Sequence, residues 1–429
     1  NKLTDLDVSK NTQLKELYCY GNKFTTAALN YIYCTLPDRT GKWNGVIQPV
    51  YSDTSSNNAT VLATNKQNAI AKNWKVQYRK NHTDIPATTG TYVCGTLNTD
   101  SYITLTVAKD SAIRLDLRTA AEGTPVRIVS GSNTQDITVG TGWLGEADYT
   151  AGSTTMTVYG DIIGFDCNGN GANLTDIDVS NNTQLKELYC SNNNLSSLDV
   201  SNNTQLTTLY CLNNSLSSLD VSQNTQLKEL NCHNNSLNSL DISQNTQLTE
   251  LDCSDNPLGS LDVSHNTELK KLYCYNNQLS SLDVSNNTLL ESIICYDNQL
   301  SSLDVSHNTQ LKWLYCYGNN FTTQALDNIY CALPDRTDKD NGKIQPVFNS
   351  SDPNHATIIA TNKQNATAKN WNVQYYYDDT DIPTTTGKHK CAATDIAEAS
   401  AEQALTLYPN PVADVLYLSA TARTIRIYN

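Results

Sequence analysis

Long apolar runs are missing from this sequence of 429 residues, in which only 38% of residues are hydrophobic. No stretch approaches the roughly eighteen apolar residues that a membrane-spanning helix needs, so no transmembrane segment is predicted. Positive charge is also scarce, because 29 Lys and Arg stand against 43 Asp and Glu, for a net charge of −14. Since binding to nucleic acid needs clustered Lys and Arg, this balance argues against a nucleic-acid partner.

Catalytic signatures are missing as well. The chain has no H-E-x-x-H motif, no G-x-S-x-G turn, no phosphate-binding loop and no G-x-G-x-x-G turn. Its six histidines are scattered, and His265 and His307 merely occupy a variable turn position. We therefore expect no enzyme activity, no cofactor and no metal site. The chain has no signal peptide and opens at Asn1 in the middle of a repeat, so we interpret it as a fragment.

The dominant positive feature is a repeat of 21 residues with the frame L-x-x-L-x-C-x-x-N-x-L-x-x-L-D-V-S-x-N-T-x. Strict self-similarity of this kind predicts one solenoid turn per repeat, each stacked on its neighbours to share a core. In the strand L-x-x-L-x-C, alternation points Leu and Cys inward and the intervening residues to solvent on the concave face. The repeated cysteines are Cys190, Cys211, Cys232, Cys253, Cys274, Cys295 and Cys316.

This frame resembles a leucine-rich repeat with cysteine in place of the third leucine. It is similar to extracellular leucine-rich repeat proteins of gram-negative bacteria that use type IX secretion. The L-Y-P-N-P motif at 407–411, with Tyr408, Pro409, Asn410 and Pro411, resembles the start of the sorting domain of those proteins. The chain stops before the later strands of such a domain, so we interpret it as truncated. The resemblance implies an extracellular or outer-membrane location, with the type IX secretion machinery as a partner of the full-length protein.

A longer duplication organises the rest of the chain. Residues 1–94 align without a gap onto 298–391, and about two-thirds of the positions are identical. In the second copy, Thr322 and Thr323 predict the start of a helix that carries Leu326 and Ile329 and stops at Pro334. Strands at 343–348 and 372–377 are predicted to flank a helix near 362–370. Between Cys94 and Cys167, alternating apolar residues predict an all-β module. Its predicted strands are 102–107, 113–117, 126–129, 137–139 and 156–159.

We therefore predict an α/β-β solenoid: a leucine-rich repeat array with a parallel concave β-sheet, a β-rich N-terminal cap and an α/β C-terminal cap. The predicted divisions are the end of a first array (1–33), its C-terminal cap (34–94), an all-β module capping the second array (95–166), the second array (167–316), its C-terminal cap (317–391), a linker (392–404) and the start of a truncated sorting domain (405–429).

The thirteen cysteines fall into two groups. Nine, including Cys19 and Cys167, occupy the repeated position. We expect them to be small buried hydrophobic residues, because parallel strands about 4.8 Å apart do not favour the roughly 3.8 Å Cβ separation of a disulfide. The other four form two pairs with the same spacing, which predicts a disulfide in each cap, although packed thiols would also fit. The pairs are Cys34 with Cys94 and Cys331 with Cys391.

The aspartate of each L-D-V-S sequence forms a second column, from Asp178 to Asp304. Stacked carboxylates repel each other unless they are neutralised. We expect each to accept hydrogen bonds from backbone N–H groups of its own turn. Calcium is the alternative, but the glycine-rich calcium nonapeptide is absent from the sequence.

Aromatic residues gather at the outward positions of the last repeats. Exposed Tyr and Trp provide rigid contact area for protein or sugar, whereas Tyr is also simply a good strand former. Neighbouring lysines favour an acidic or sugar-bearing partner. We predict a secreted or surface binding protein of the adhesin type, with a protein or glycan ligand; the alternative is a structural spacer. The predicted ligand-binding residues are Tyr273, Tyr275, Tyr296, Trp313, Tyr315, Tyr317 and Lys271.

Overall fold

The computed structural model describes residues 2, 3, 6, 8, 11–90, 94–121 and 123–391. Residues 16–94 form the first α/β segment, in which three strands pair in parallel in chain order. Its elements are β1 (Glu16–Tyr18), α1 (Thr26–Thr35), β2 (Gly45–Val50), α2 (Asn58–Leu62), α3 (Gln67–Ile70) and β3 (Trp74–Tyr78).

The following residues form the β module. Its strands are β4 (Tyr102–Val107), β5 (Ala112–Thr119), β6 (Thr124–Ser130), β7 (Asn133–Val139), β8 (Ala147–Thr150), β9 (Thr155–Tyr159), β10 (Ile162–Asp166) and β11 (Leu174–Asp178). Alternation predicted β4, β5, β6, β7 and β9, and these are confirmed. Strand β10 joins the module to the repeats, because it pairs antiparallel with β5 and parallel with the first strand of the repeats, Glu187–Tyr189. Strand β11 turns back to pair with β4.

Each repeat then adds one three-residue strand to a parallel sheet. The strands are β12 (Glu187–Tyr189), β13 (Thr208–Tyr210), β14 (Glu229–Asn231), β15 (Glu250–Asp252), β16 (Lys271–Tyr273), β17 (Ser292–Ile294) and β18 (Trp313–Tyr315). Equivalent residues lie side by side, as Leu230 does with Leu251. Leucine and cysteine side chains of successive repeats therefore form continuous buried columns. Each fully buried leucine contributes about 1.5–3 kcal/mol.

Two asparagine columns hold the turns between strands. Asn256 donates to the carbonyls of Cys232 and Cys253 and accepts the N–H of Leu237 at 3.0 Å. Asn245 donates to the carbonyls of Val221 and Asn224, both at 2.9 Å. Among the described residues, no donor reaches the Oδ1 of Asn245, although this atom is buried. The first column therefore uses both ends of its amide, whereas the second uses only the NH₂ group.

The aspartate column behaves as expected. In each repeat the carboxylate accepts the N–H of the serine two residues later, as Asp241 does from Ser243 at 2.9 Å. These hydrogen bonds hold the pKa of Asp241 below its ordinary value. Within the described residues, no group of three or more His, Cys, Asp or Glu side chains could hold a metal ion.

Residues 317–391 form the second α/β segment. Its elements are α4 (Thr323–Ala332), β19 (Gly342–Val347), α5 (His355–Ile359), α6 (Gln364–Thr367) and β20 (Trp371–Tyr375). Helix α4 starts as predicted, because the Thr322 hydroxyl accepts the N–H of Ala325 at 3.2 Å. The helix predicted near 362–370 forms there as α6, which is shorter than predicted, and a second short helix that was not predicted, α5, precedes it. Between the two helices the Thr361 hydroxyl donates to the carbonyl of Ile358.

Strands β19 and β20 extend the parallel sheet of the repeats. The complete order is β20-β19-β18-β17-β16-β15-β14-β13-β12-β10-β5-β8. Beyond β20 the chain turns back, so that the N–H of Ile382 donates to the carbonyl of Val373 and the N–H of Tyr375 donates to that of Thr380. The outer edge of β20 is thereby hydrogen-bonded to its own chain.

The cysteines divide as the sequence suggested. The nine at the repeated position are free thiols and buried. Cys34 is bonded to Cys94, and Cys331 to Cys391, with Cα atoms 5.5 and 5.3 Å apart. Each disulfide ties the first helix of an α/β segment to the end of that segment.

Candidate functional site

The predicted site residues lie on one face of the sheet. In each repeat strand the central residue (Leu, or Ile293 in β17) and the Cys two residues later are buried, while the residues on either side of them reach the opposite face. Lys271 and Trp313 occupy the first strand position, Tyr273 and Tyr315 the third. The structure therefore brings them together over β16–β18, with Tyr275 and Tyr296 following the cysteines of the same repeats.

The tyrosines after the cysteines form a stacked row. The Tyr275 and Tyr296 rings lie 4.4 Å apart at 15°, and those of Tyr296 and Tyr317 lie 4.4 Å apart at 9°. Strand spacing explains this, because in-register parallel strands about 4.8 Å apart place equivalent side chains at stacking distance. The row is rigid because each ring limits the rotation of the next.

Tyr317 lies at the buried end of this row. Its side chain is only 6% exposed, because Phe348 and Tyr376 pack against it with ring centroids 5.5 and 4.6 Å away. The exposure that the sequence predicted for Tyr317 is therefore wrong, and its role in binding stays a prediction. Sequence reasoning missed Tyr376, although a run of three tyrosines at 375–377 was visible at the end of a predicted strand.

The exposed part of the patch is centred on Trp313, whose side chain is 42% exposed. Lys312 lies over its ring, with the ammonium nitrogen 5.9 Å from the centroid. The same ammonium is 2.7 Å from the Glu291 carboxylate, and that of Lys271 is 2.8 Å from Glu250. The positive character expected from these two lysines is therefore wrong, since each is paired with a carboxylate.

Two carboxyl groups adjoin the tyrosine row: Asp252 is half-buried and Asp297 is exposed. Partial desolvation raises the pKa of Asp252, which accepts hydrogen bonds from the backbone and hydroxyl of Ser254. Partial desolvation also raises the pKa of Asp297, and the carboxylates of Asp352 and Asp255 raise it further. Burial likewise raises the pKa of Tyr296 far above its ordinary value, so its hydroxyl stays neutral across the physiological range.

A histidine contacts the same polar region. His233 Nδ1 lies 3.2 Å from the Ser254 hydroxyl and 3.3 Å from the Asp255 carboxylate. This trio does not form an activated nucleophile, because Ser254 is fully buried and its hydroxyl donates to Asp252. The arrangement instead fixes the side chains beside Tyr275, whose hydroxyl is 3.5 Å from the histidine.

The N-terminal end of the face carries a second aromatic group that the sequence did not reveal. Trp143, from the loop between β7 and β8, packs edge-on against Tyr189 at 5.6 Å, and Tyr189 contacts Tyr210 at 5.2 Å. The Arg118 guanidinium lies 5.9 Å from the Trp143 ring. The sequence predicted the aromatic cluster only in the last repeats; this second group was missed because Trp143 reaches the face from a loop distant in sequence.

Two further predictions concern other parts of the chain. The sorting motif, with Tyr408, Pro409, Asn410 and Pro411, lies outside the described residues, as do the linker and everything after it. None of the helices in the described part of the chain has the length and apolar character required to cross a membrane.

Comparison with known proteins gives one family match. The model described as "Leucine Rich repeats (2 copies)" matches residues 246–287. No curated protein matches the sequence.

One similar solved structure is the functional domain of InlJ from Listeria monocytogenes, which includes a cysteine ladder. It is 28% identical over 46% of this chain and 52% of that chain, with a TM-score of 0.33. YopM, a leucine-rich effector protein from Yersinia pestis, is 26% identical over 39% of this chain and 44% of its own, with a TM-score of 0.31. The internalin InlF from Listeria monocytogenes is 20% identical over 46% and 71%, with a TM-score of 0.29. The chain thus spans about half the length of the first of these. Taken with the in-register strands, the family match identifies residues 246–287 as leucine-rich repeats.

Proposed function

We propose that this chain is the recognition part of a secreted or cell-surface binding protein, adhesin-like, with a protein or glycan ligand on the aromatic patch of β16–β18. The observation that carries the proposal is the stacked row of Tyr275, Tyr296 and Tyr317 beside the exposed Trp313. Leucine-rich repeat proteins of this kind generally mediate protein interactions, and repeat arrays use extended concave surfaces for this purpose.

Rigidity supports this proposal physically. Aromatic side chains that are already stacked lose little conformational freedom when a ligand covers them, so more of the contact energy appears as affinity. A spacer without a ligand gains nothing from Trp313, which is solvent-exposed and contributes little to the core. The mixture of half-buried tyrosine hydroxyls and carboxylates offers hydrogen bonds to either protein or sugar.

In this proposal, the parts of the chain outside the repeat array cap the array or direct its export. The β module and the second α/β segment act as caps, because they extend the sheet at the two ends of the array. The L-Y-P-N-P motif supports export by the type IX machinery to the surface of a gram-negative bacterium. The alternative, a spacer that only projects other domains, predicts no ligand for the patch.

The test has two stages. The chain is first probed against arrays of glycans and host proteins, and affinity for any ligand is then measured for the Trp313→Ala, Tyr273→Ala double variant. Truncation of an aromatic hot spot typically costs about 2 kcal/mol or more, so we expect affinity to fall at least about thirtyfold. Gln244→Ala, an exposed substitution outside the strands, is the matched control. Unchanged affinity in the double variant would place binding elsewhere, and a chain that binds nothing on the arrays would favour the spacer.

A further inference from the structure

The duplication places an equivalent surface on the first α/β segment, which we call the first tyrosine edge. It consists of Tyr18, Tyr20, Tyr51 and the turn at 79–82. Tyr51 is 50% exposed, whereas its counterpart Phe348 is covered more fully in the second copy. The surface therefore presents an open aromatic ring outside the patch on the repeat array.

Arginine dominates this edge. The guanidinium of Arg79 lies 5.5 Å from the Tyr18 ring centroid and 5.9 Å from that of Tyr20, so the two rings support one cation. His82 lies beside it, 3.4 Å from Arg79 and 3.0 Å from the buried Gln48. Stacking in this way fixes the guanidinium plane while leaving N–H groups free to pair with a carboxylate.

In the second copy of the duplication, the equivalent turn carries residues of the opposite charge. Residues 79–82 are Arg, Lys, Asn and His, whereas 376–379 are Tyr, Tyr, Asp and Asp, so two positive charges are replaced by two negative ones. Gln345, the counterpart of Gln48, donates to Asp379 at 2.6 Å instead of contacting a histidine. The neighbouring Lys343 also pairs with Asp379, at 3.0 Å.

The backbone of the two turns is nevertheless the same. His82 and Asp379 share a φ of 57°, and each turn is closed by one antiparallel bridge, between Gln77 and Asp84 or Gln374 and Asp381. All four side chains of the turn differ although the flanking strands are nearly identical. The fold therefore accepts either set, and the charge of the turn is not required for folding.

We propose that the first tyrosine edge is a second binding site, and that its ligand is an acidic protein segment. Carboxylates would pair with Arg79 and Lys80, and the apolar parts of the segment would lie on Tyr18 and Tyr51. One carboxylate at this edge, that of Glu16, already accepts the Tyr18 hydroxyl at 2.6 Å. The equivalent edge of the second segment repels the same ligand, so the two copies of the duplication differ in specificity.

A turn exchange tests the proposal without threatening the fold. The probe is a fluorescein-labelled ten-residue oligoglutamate peptide, and the measurement is fluorescence anisotropy with the full chain at low and high salt. Because the chain carries a net charge of −14, non-specific attraction of this probe is disfavoured. We expect one site per chain, weakened by salt as an electrostatic contact should be.

The variant Arg79→Tyr, Lys80→Tyr, Asn81→Asp, His82→Asp, which installs the turn of the second copy, should lower the affinity at least tenfold. The reciprocal exchange at 376–379 should add a second site per chain. Trp313→Ala with Tyr273→Ala should leave probe binding unchanged, which separates this site from the proposed patch.

Failure of the native chain to bind the probe at low salt would overturn the proposal, as would binding that survives the exchange at 79–82. A chondroitin sulfate sample is tested in parallel. If the glycan binds through Arg79 and the peptide does not, the assignment to a protein segment is wrong.

Discussion

The two asparagine columns predict different costs for the same substitution. Asn256→Ala removes the two amide hydrogens that three carbonyls share, those of Cys232, Cys253 and Ser254. Each carbonyl keeps another donor: Cys232 keeps the Asn235 amide, Cys253 keeps that of Asn277 and Ser254 keeps the N–H of Asn234. The N–H of Leu237, whose bond is to the Asn256 side chain, becomes an unpaired buried donor. At about 1 kcal/mol for each lost bond and about 1–3 kcal/mol for the orphaned donor, we expect a loss of about 3–5 kcal/mol.

Asn245→Ala is the matched control, because it removes the same atoms from the neighbouring column. Its two carbonyl partners, Val221 and Asn224, keep backbone donors at 3.0 Å. The substitution also removes the buried Oδ1 that has no partner in the described residues. We therefore expect a loss of only about 1 kcal/mol, since the relief of an unpaired acceptor offsets most of the two lost bonds.

Both variants are measured by urea denaturation, followed by far-ultraviolet circular dichroism and tryptophan fluorescence. Coincidence of the two transitions establishes whether a single free energy of unfolding applies, which repeat arrays do not guarantee. If Asn245→Ala proves as destabilising as Asn256→Ala, then the number of hydrogen-bond partners of each amide does not determine how much each asparagine column contributes to stability.

Three other outcomes follow from buried groups. Burial raises the pKa of the Cys19 and Cys316 thiols to about 12. A thiol reagent at pH 8 should therefore leave all nine cysteines at the repeated position unmodified until guanidinium is added. Rapid labelling of the folded protein would contradict their burial. Replacing Cys331 and Cys391 together by alanine opens a loop of 60 residues and should cost about 4 kcal/mol in the chain-entropy description, measured as a lower midpoint in urea than that of the native disulfide form. Desolvation raises the folded-state pKa of Asp252 above its unfolded value, which is about 3.9. The folded protein therefore loses stability as the pH rises from the unfolded pKa through the folded one. Asp252→Asn should raise the melting temperature at pH 7 but hardly at pH 3, and equal shifts at the two pH values would refute the assignment.

Periodicity made the array predictable from sequence. Cys253 recurs at the same position in every repeat and Leu251 in every repeat but one, where Ile293 takes its place, so their burial and the outward direction of Tyr273 and Trp313 follow from strand alternation. The β4 strand was predicted at its observed bounds for the same reason. The local sequence pattern did not predict strands that form because of residues distant in sequence. Strand β10 is an example, because it is held on one side by β5 and on the other by β12.

In the candidate site as well, the periodic residues were predictable from sequence and the residues from outside the repeats were not. Residues spaced by whole repeats, such as Tyr275 and Tyr296, were predicted to lie together, and their stacking is a direct product of register. Trp143 and Tyr376 reach the face from a loop and from the end of a strand outside the repeats. The pairing of Lys271 with Glu250 joins adjacent repeats at one position of the frame, so aligning the repeats under one another would have indicated it.

The closed edge of β20 bears on aggregation. A sheet of parallel repeats is a template onto which another chain could add strand by strand, because the outermost strand of such a sheet carries unpaired backbone groups along its free edge. Here the Val373 carbonyl and the Tyr375 N–H are already bonded to Ile382 and Thr380. The first α/β segment uses the same device, since the N–H of Ile85 donates to the carbonyl of Val76. Each end segment thus blocks fibril-like growth, and a chain truncated before residue 380 should polymerise at concentrations where the intact chain stays dispersed.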